Sequence, residues 1–497
     1  MKKLGLILAV VLPFVATGQS VQRISMPGSP IGAAWGFLYG CGGFPAENFL
    51  PEVRHLGGGF SKIYLLWSQI EMEKGKYDWT ATDTYVKQLK NPDEGLISLF
   101  SSSMWATKTP ALILPPSPAK NPDEYYQFVN TMVKRYKGKV RYWQNDSEPS
   151  NPIYWSGTKE QFVDQLKVFY RAVHDADPAA QVVCGGYDGL FNPPPLPPTP
   201  MQKVGLEFFD YVLKEGKGAF DVFDLRLYAN PYTIVDRVKI MREKMAANGY
   251  EKPIIATEYG GPGFFEYSVN RKYVSMMMAS TQALAKPKAD GTPGTTTGSP
   301  IADLYNNMSS LAPETQMFMM GTTPELEAKF ERIQVRDLVM RNLFGLSAGV
   351  QKMLYWDLWD KPGDRDNVMT LMYGKVRMVD YVDHKVTKEM PVALAFKRLA
   401  NVLNGVTSVR RIPLPEQPSI FLFLVERKGL GPIYVVWNQQ DNFKGEDQPD
   451  VSLNIGWASN AALATDAFGK AVPTRAGNKS LRLSVGVTPI YVSPARL

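Results

Sequence analysis

The amino-acid sequence predicts an α/β protein: a (β/α)8 barrel followed by an all-β sandwich domain. Between residues 30 and 404, short apolar runs alternate with amphipathic stretches of helical period, a pattern that indicates repeated βαβ units. After Asn404, apolar runs follow one another between turn residues without a helical stretch, which is typical of a small β-sandwich. We therefore assign residues 30–404 to the barrel and residues 405–497 to the sandwich.

The alternating region contains eight strand–helix pairs, and eight strands close a small barrel. Several helix ends are recognisable: Asn121-Pro122 begins one helix, Thr158 begins another, and Asn248-Gly249 ends a third. The predicted strands cover residues 31–35, 60–66, 95–100, 140–143, 181–184, 220–228, 253–257 and 353–357. The predicted helices cover residues 83–89, 123–136, a stretch beginning at 158, and residues 204–213, 234–247, 326–344 and 392–403.

Two segments break this alternation. Residues 191–201 carry six prolines and are predicted to form a stiff surface loop without regular structure. Residues 285–323 are rich in Gly, Pro, Thr, Ser and Met and show no period, which indicates an insertion after the seventh strand, mobile at residues 286–299. This insertion either overhangs the mouth of the barrel or is an excursion without a function.

The first eighteen residues have the pattern of a cleaved export signal. Lys2 and Lys3 precede an apolar run over residues 4–15 and a small-residue exit at residues 16–18. The run is too short to span a bilayer as a helix, and no later stretch is long and apolar enough to do so. We therefore expect residues 1–18 to be a signal peptide and the mature chain to be secreted or periplasmic, without a membrane span.

Composition and residue spacing argue against several classes of site. The formal charge of +7 is modest for 497 residues, and Lys and Arg are scattered, so no nucleic-acid partner is implied. The three histidines are far apart, no phosphate-binding Gly loop is present, and residues 360–367 lack the spacing of a cation loop. No metal or cofactor is therefore expected. Cys41 and Cys184 are expected to be free buried thiols, with one disulfide as the alternative.

Two glutamates follow predicted strands at the end of the barrel where active sites form. Glu148, followed by Pro149, comes after the fourth strand, and Glu258, followed by Gly260 and Gly261, comes after the seventh. A glycosidase needs two carboxylates at one site, one to protonate the leaving oxygen and one to attack the anomeric carbon or activate water. The alternative interpretation is that either residue is an ordinary strand-end carboxylate.

The neighbours of each glutamate predict its role. Tyr228, at the end of the sixth strand, is placed to donate a hydrogen bond that keeps Glu258 ionised. Trp143 and Trp155 flank Glu148 in the sequence, and desolvation by these indoles is expected to favour the protonated form that a general acid needs. The same group can act as a base in the second half of the reaction.

These motifs resemble glycoside hydrolase clan A, and family 39 in particular. In that clan the acid/base ends strand four before a proline and the nucleophile ends strand seven, which matches Glu148 and Glu258. The stretch from Trp67 to Trp79 is similar to the clan's strand-two region, and Trp356 matches its aromatic platform beneath the sugar. The resemblance implies a retaining glycosidase that cleaves O-glycosidic bonds of an extracellular polysaccharide or glycoconjugate by double displacement.

Two positions depart from the pattern of the clan. The residue before the acid/base, usually an Asn that bonds the 2-hydroxyl of the sugar, is Ser147; the contact comes from Ser147, comes from Asn145, or is absent. On strand six, Arg226 stands where relatives often carry His. Trp105 and Trp155 are further candidates for sugar stacking, against the commoner use of large aromatic residues in the core.

Two other functions are compatible with the same residues. The altered motif at Ser147 fits a carbohydrate-binding barrel that has lost catalysis. A transglycosidase would use the same two glutamates and would differ in how water is excluded from the site. The sequence leaves the sugar, the linkage and endo or exo action open.

Overall fold

The structure of the protein is a computed structural model that describes residues 23–24, 28–36, 38–40, 47–187, 200–294, 300–360, 363–365 and 367–494. The expected signal peptide, Cys41 and residues 191–199 of the proline-rich segment lie outside these ranges. Within them, no helix is both long enough and apolar enough to cross a membrane.

Eight parallel strands form the central sheet, in the order β5-β4-β3-β2-β1-β8-β7-β6. Two parallel bridges, Val183 to Val222 and Tyr187 to Leu225, join the outermost strands β5 and β6. The sheet is therefore closed, which confirms the predicted (β/α)8 barrel. Its strands are β1 (Ile31–Ala34), β2 (Phe60–Leu66), β3 (Glu94–Phe100), β4 (Tyr142–Asn145), β5 (Gln181–Val183), β6 (Phe223–Asp224), β7 (Ile254–Tyr259) and β8 (Val350–Tyr355).

The sixth strand is much shorter than the nine residues that the sequence predicts. The N–H of Arg226 donates to the carbonyl of Tyr187 on one side, and the N–H of Leu227 donates to the carbonyl of Glu258 on the other. Ala229 then adopts a positive φ of 66°. The polar end of this strand therefore lies between the ends of β5 and β7.

Thirteen helices are present in the described ranges, and their capping agrees with the sequence signals. Asn121 accepts a hydrogen bond from the N–H of Asp123, with Pro122 in the first turn. Thr158 forms a capping box with Gln161. The helices are α1 (Phe49–His55), α2 (Trp67–Ile70), α3 (Thr80–Gln88), α4 (Pro122–Arg135), α5 (Lys159–Ala176), α6 (Pro200–Glu215), α7 (Ile234–Ala247), α8 (Val274–Leu284), α9 (Pro300–Asn306), α10 (Pro313–Gln316), α11 (Pro324–Ser347), α12 (Val368–Tyr373) and α13 (Pro391–Val402).

Side chains fill the barrel in layers, because alternate residues of each strand face its interior. One layer is apolar and includes Phe60, Leu96, Tyr142, Ile255 and Leu354, all fully buried. One pleat further along the strands, the interior becomes polar. The residues between these positions pack outward against the helices and form the main core.

The insertion after β7 contains regular structure, contrary to the prediction from its composition. Helices α9 and α10 are one to two turns long, too short to show a period, and each begins with a proline. Ile301, Met317 and Phe318 are buried with Phe330 of α11 and Val368 of α12 in a separate small core. The insertion is thus packed on the barrel over its described residues.

A β-hairpin that the sequence analysis did not predict lies between β8 and α13. Its strands are β9 (Val379–Val382) and β10 (Lys385–Glu389). Asp383 and His384 form the turn with positive φ values of 48° and 62°, as a two-residue hairpin turn requires. The usual Gly signal is missing from this turn, which is why the hairpin is hard to recognise in the sequence.

Two antiparallel sheets follow α13. One has the order β11-β12-β13-β18-β15 and the other β14-β17-β16. Apolar residues of both sheets meet in one buried cluster, including Leu422, Leu453 and Leu483, as in a β-sandwich. The strands are β11 (Val406–Ile412), β12 (Ile420–Arg427), β13 (Ile433–Asn438), β14 (Val451–Gly456), β15 (Leu463–Asp466), β16 (Thr474–Gly477), β17 (Ser480–Val485) and β18 (Ile490–Ser493).

The β-sandwich docks on α11 through an apolar contact and a charged one. Phe344 packs edge-on against Phe421 and Trp437, with ring centroids 5.4 and 5.7 Å apart. Glu446 accepts hydrogen bonds from Arg332 at 2.8 Å and from Arg336 at 2.9 Å. Partial burial would raise the pKa of Glu446, but the two guanidinium groups outweigh it and hold this pKa at about 2.

We predict that Glu446→Gln lowers the free energy of unfolding by about 2 kcal/mol at neutral pH, because Arg336 is buried and loses its charged partner. A carboxyl whose pKa is depressed on folding stabilises the fold above its unfolded pKa of about 4.5 and loses this effect as the pH falls towards 2. Urea titrations should therefore show the difference between the two proteins shrinking over that range. Glu73→Gln, at an exposed ion pair, is the control and should change little; a difference that is constant with pH would contradict the assignment.

Candidate active site

The polar layer inside the barrel consists of charged groups that are paired with each other. Lys62 of β2, Asp224 of β6, Thr257 of β7 and Arg226 just beyond β6 have no exposed surface. Arg226 Nη1 lies 2.6 Å from Asp224 Oδ2, and Lys62 Nζ donates to Thr257 Oγ1 at 2.9 Å. Gln144 also donates to Asp224 Oδ2, at 2.7 Å. The layer forms a fixed charged floor beneath the carboxyl ends of the strands.

Glu258 stands on this floor and is contacted from several sides. Its Oε1 lies 3.0 Å from Lys62 Nζ and 2.8 Å from Arg226 Nη2, and it also accepts a hydrogen bond from Tyr64. Tyr228 donates to Oε2 at 3.1 Å, which is the contact that the sequence analysis expects. All of these neighbours are cations or donors, so they stabilise the ionised carboxylate.

The pKa of Glu258 follows from two opposing effects. Burial by itself raises the pKa of the carboxyl, whereas the charges of Arg226 and Lys62 and the Tyr64 hydroxyl lower it further than burial raises it. The net direction is a lowered pKa. For Lys62 burial dominates, with Arg226 acting in the same direction, and the pKa falls to about 8 despite the Glu258 charge.

Glu148 is presented by a tight turn after β4. Asp146 and Glu148 have positive φ values of 52° and 47°, and the Asp146 carboxylate accepts from the N–H and the hydroxyl of Ser101 at 2.8 and 2.9 Å. Glu148 Oε1 lies 3.2 Å from Arg226 Nε. Arg226 therefore contacts both glutamates, Glu148 through Nε and Glu258 through Nη2.

The indole environment expected for Glu148 is not at the cavity. Trp143 is fully buried in the core between the barrel and its helices, and Trp155 packs edge-on against Phe162, with its Nε1 donating to the Thr158 carbonyl at 3.1 Å. Alternation along β4 explains the first difference, because Trp143 and Gln144 point to opposite faces. The Arg226 guanidinium contacts the Glu148 carboxylate, whereas the indoles of Trp143 and Trp155 lie elsewhere.

Above the two glutamates lies a cavity of about 310 Å³. Of the residues that the sequence predicts for the site, Ser147, Glu148, Tyr228, Glu258 and Trp356 all line it. The Ser147 hydroxyl accepts a hydrogen bond from Arg226. The ring of Tyr373 packs edge-on against Trp356 and Tyr228, at centroid distances of 5.4 and 5.7 Å, so helix α12 closes one side of the cavity.

Three predicted site residues are placed elsewhere. Asn145 points away from the barrel interior, and its Oδ1 accepts from the hydroxyl of Tyr125 of α4 at 2.6 Å. Trp105 packs edge-on against Trp67, and Trp155 packs against α5 as described above. None of the three lines the cavity. Of Asn145 and Ser147, the two residues proposed to contact the 2-hydroxyl of the sugar, only Ser147 lines it.

Five residues of the site were not predicted as such from the sequence. Tyr64, Tyr154 and Tyr373 line the cavity, and Lys62 and Arg226 contact Glu258 from below. A signal for two of them exists: Lys62 and Tyr64 share one face of β2 with the interior residue Phe60. A lysine inside an otherwise apolar strand points to a buried charged partner. Tyr154 and Tyr373 lie in a loop and a short helix, where the sequence carries no comparable signal.

The described residues contain one further cluster of potential metal ligands, Glu52, His55 and Glu389. It lies where α1 meets β10, is partly exposed, and does not line the cavity. In the 360–367 loop, Asp366 is outside the described ranges. The expectation of no metal or cofactor stays a prediction. Cys184 is buried, and burial raises the pKa of its thiol, whereas Cys41 lies outside the described chain.

Comparison with solved structures finds the same fold in several glycosidases. A family 39 glycoside hydrolase from Bacteroides cellulosilyticus aligns with 93% of this chain and 80% of its own, with a TM-score of 0.59 and 15% identity. A family 51 alpha-L-arabinofuranosidase from Bifidobacterium longum aligns with 96% of this chain and 98% of its own, with a TM-score of 0.57 and 10% identity. A family 39 beta-xylosidase from Caulobacter crescentus aligns with 95% of this chain and 98% of its own, with a TM-score of 0.54 and 12% identity. The chain has the fold of these enzymes.

Sequence comparisons give a weaker result. No protein-family model matches the chain. Over 133 residues, 24% of the chain, it is 26% identical to endo-1,4-beta-xylanase 3 of Hypocrea jecorina. The match spans 36% of the length of that curated relative.

We predict that Arg226→Met lowers the free energy of unfolding by about 3–5 kcal/mol, because it leaves the buried Asp224 carboxylate without its cation. Adding Asp224→Asn to this variant should recover part of the loss, since the uncompensated charge is then removed as well. Guanidinium chloride titrations of the single and double variants measure both effects. Arg135→Met is the control. It breaks an ion pair with Asp83 in which the two side chains are 43% and 47% exposed, and it should have little effect on the free energy of unfolding.

An Arg226→Met protein as stable as the wild type would contradict the view that this guanidinium neutralises the floor of the site. A double variant less stable than Arg226→Met alone would indicate that Asp224 is needed for its hydrogen bonds rather than for its charge.

Proposed function

We propose that the protein is a retaining glycoside hydrolase in which Glu258 is the nucleophile and Glu148 the acid/base. The observation that carries this proposal is the contact of both glutamates with the Arg226 guanidinium at the base of one cavity. A pair of carboxylates flanking the scissile bond is what glycoside hydrolysis requires. The shared fold of glycosidases from families 39 and 51 supports the reaction class.

The environment of Glu258 suits a nucleophile. Its lowered pKa keeps it ionised, and the ionised oxygen can attack the anomeric carbon to give a covalent glycosyl-enzyme. Tyr64 and Tyr228 hold the carboxylate in place. This leaves no freedom for the group to rotate away from the substrate, so positioning contributes to the rate.

Glu148 has the complementary task. In the first step it protonates the leaving oxygen, and in the second step it takes a proton from the water that attacks the anomeric carbon. Its contact with Arg226 Nε must loosen when the glycosidic oxygen arrives, because the acid has to be protonated at that moment. Because Arg226 also contacts Glu258, we expect the protonation of Glu148 to affect the electrostatic stabilisation of the Glu258 carboxylate.

Retention of configuration is supported by the shared cation. Retaining enzymes hold the two carboxyl groups about 5–5.5 Å apart, and inverting enzymes about 6.5–9.5 Å apart to make room for water. Two carboxylates contacting adjacent nitrogens of one guanidinium are close together. We therefore assign the double-displacement mechanism.

The substrate class we propose is a carbohydrate, either a polysaccharide or a glycoconjugate. Beta-xylosides and arabinofuranosides are the first compounds to test, since a xylanase, a beta-xylosidase and an alpha-L-arabinofuranosidase are among the similar proteins. We also propose that residues 1–18 direct export of the chain, from their charged start, apolar centre and small-residue exit. Fractionation of cells expressing the chain with and without residues 1–18 tests this.

We predict that Glu258→Gln abolishes hydrolysis, and that Glu148→Gln reduces it by about 10²–10⁴-fold on substrates with poor leaving groups. With a 2,4-dinitrophenyl glycoside, whose leaving group needs no proton, the first step of Glu148→Gln should stay close to that of the wild type. Burst kinetics and reducing-sugar release measure these rates, and proton NMR of the first sugar formed gives its configuration. Glu243→Gln, on the exposed face of α7, is the matched control.

Activity that survives in Glu258→Gln would remove this residue from the mechanism, and an inverted product would exclude double displacement. Transfer of sugar to an added alcohol in preference to water would identify a transglycosidase with the same site. Sugar binding without turnover by the wild-type protein would favour the non-catalytic barrel.

We further predict that Lys62→Met moves the acidic limb of the kcat/KM profile to higher pH, by about 1–3 on the pH scale. Burial already raises the pKa of Glu258, and the Arg226 and Lys62 charges oppose it; without Lys62 the nucleophile becomes protonated at a higher pH. Lys352→Met is the matched control, because Lys352 is an equally buried lysine paired with Glu94 near the other end of the barrel. An unshifted limb in Lys62→Met would contradict this role.

A further inference from the structure

One group of polar residues in the cavity surrounds the two glutamates. Tyr64, Tyr228 and Ser147 form this group. This part of the cavity offers hydroxyl groups and carboxylate oxygens to the hydroxyls of one sugar ring. The aromatic faces of Trp356 and Tyr373 lie beside it, and such faces suit the apolar side of a sugar.

Apolar and flexible side chains line much of the rest of the cavity, beside the polar residues Ser150, Asn151, Gln202, Thr281 and Gln282. Met278 comes from α8, Met369 and Met372 come from α12, and Val204 comes from α6. Ile153, from the loop after β4, completes this surface. Methionine is unbranched and polarisable, so a wall of methionines adapts to an apolar group of irregular shape.

Several of the methionines that line the cavity also contact the small core formed with the insertion. Met277 is 2% exposed and belongs to that core, and Met369 and Met372 pack against it. Met278, Met369 and Met372 are only partly buried and face the cavity, and Val204 is 59% exposed. Apolar surface left open beside reactive groups indicates a ligand that covers it.

The charges of the cavity argue against an anionic ligand. Glu148 and Glu258 are the only charged side chains among the described residues that line it. The cations beneath them, Lys62 and Arg226, are buried and paired with carboxylates. A uronic acid or a sulfated sugar would meet like charge there, so the sugar that fits is neutral.

Resting on the proposed function, we infer that the substrate is a neutral glycoside with an apolar aglycone, an alkyl or aryl alcohol that lies against Met278, Met369 and Met372. The sugar lies at Glu148 and Glu258. The bond between the anomeric carbon and the aglycone oxygen breaks, Glu148 gives that oxygen a proton, and water supplies the new oxygen and restores the proton. A cavity of about 310 Å³ lies within the usual range for small-molecule sites, a size that suits one sugar and its aglycone.

The apolar wall can be tested without any turnover. Fluorescence titration of the full chain with N-phenyl-1-naphthylamine, a neutral apolar probe, should show saturable binding. Met278→Gln and Met372→Gln should each weaken it by about tenfold, since each places a polar amide on the wall. Met72→Gln, at a methionine that is 59% exposed and outside the cavity, and Glu258→Gln should bind the probe like the wild type.

The aglycone is tested with methyl, hexyl and octyl glycosides of the sugar that the wild type cleaves. We expect kcat/KM to rise at least about tenfold from methyl to hexyl in the wild type and to stay nearly level in Met278→Gln and Met372→Gln. Equal kcat/KM for all three glycosides, or probe binding unaffected by both methionine variants, would overturn the inference and leave the hydrolase intact. Binding without cleavage for every sugar tested would instead refute the proposed function, while the probe titration would still decide whether the wall binds apolar groups.

Discussion

The buried Arg226 guanidinium is the group on which the organisation of the site depends. It contacts Asp224 below it and both Glu148 and Glu258 above it. Its own backbone carbonyl accepts a hydrogen bond from Arg237, so the strand end that carries it is fixed as well. Burying several charges is costly unless each one is paired. The network therefore fixes the relative positions of the two glutamates as a condition of folding.

The layering of the barrel explains why this network forms where it does. Apolar side chains fill the layer directly beneath the site, so the polar residues one pleat higher are shielded from water on that side. Lys62 and Asp224 occupy this second layer, and the glutamates stand at its upper boundary. Low polarity beneath the site strengthens every charge interaction within it.

Elements added to the barrel decide the shape of the mouth. Helices α8 and α12 bring methionines and Tyr373 to the cavity, and α9 and α10 support them through a separate small core. The β-sandwich is attached to α11, on the outside of the barrel, through Phe344 and the Glu446 ion pairs. The reactive floor thus belongs to the common fold, whereas the methionines of α8 and α12 come from parts that interrupt its regular alternation.

The barrel could be predicted from the sequence, because hydrophobic periodicity is local and each strand–helix pair shows it. The positions of Glu148 and Glu258 at strand ends, with Tyr228 beside them, could be predicted too, because the topology of a barrel brings strand ends together. The groups that surround each carboxylate could be identified only from the folded structure. In the sequence, Arg226 is noticeable only because related enzymes often carry His at this position. Its contact with two glutamates depends on the ends of strands four, six and seven, which meet only in the folded barrel. Trp143 and Asn145 show the same limit, since a shift of one residue along a strand turns a side chain from the interior to the helices. Charges pair across the fold rather than along the chain, and that pairing cannot be read from periodicity.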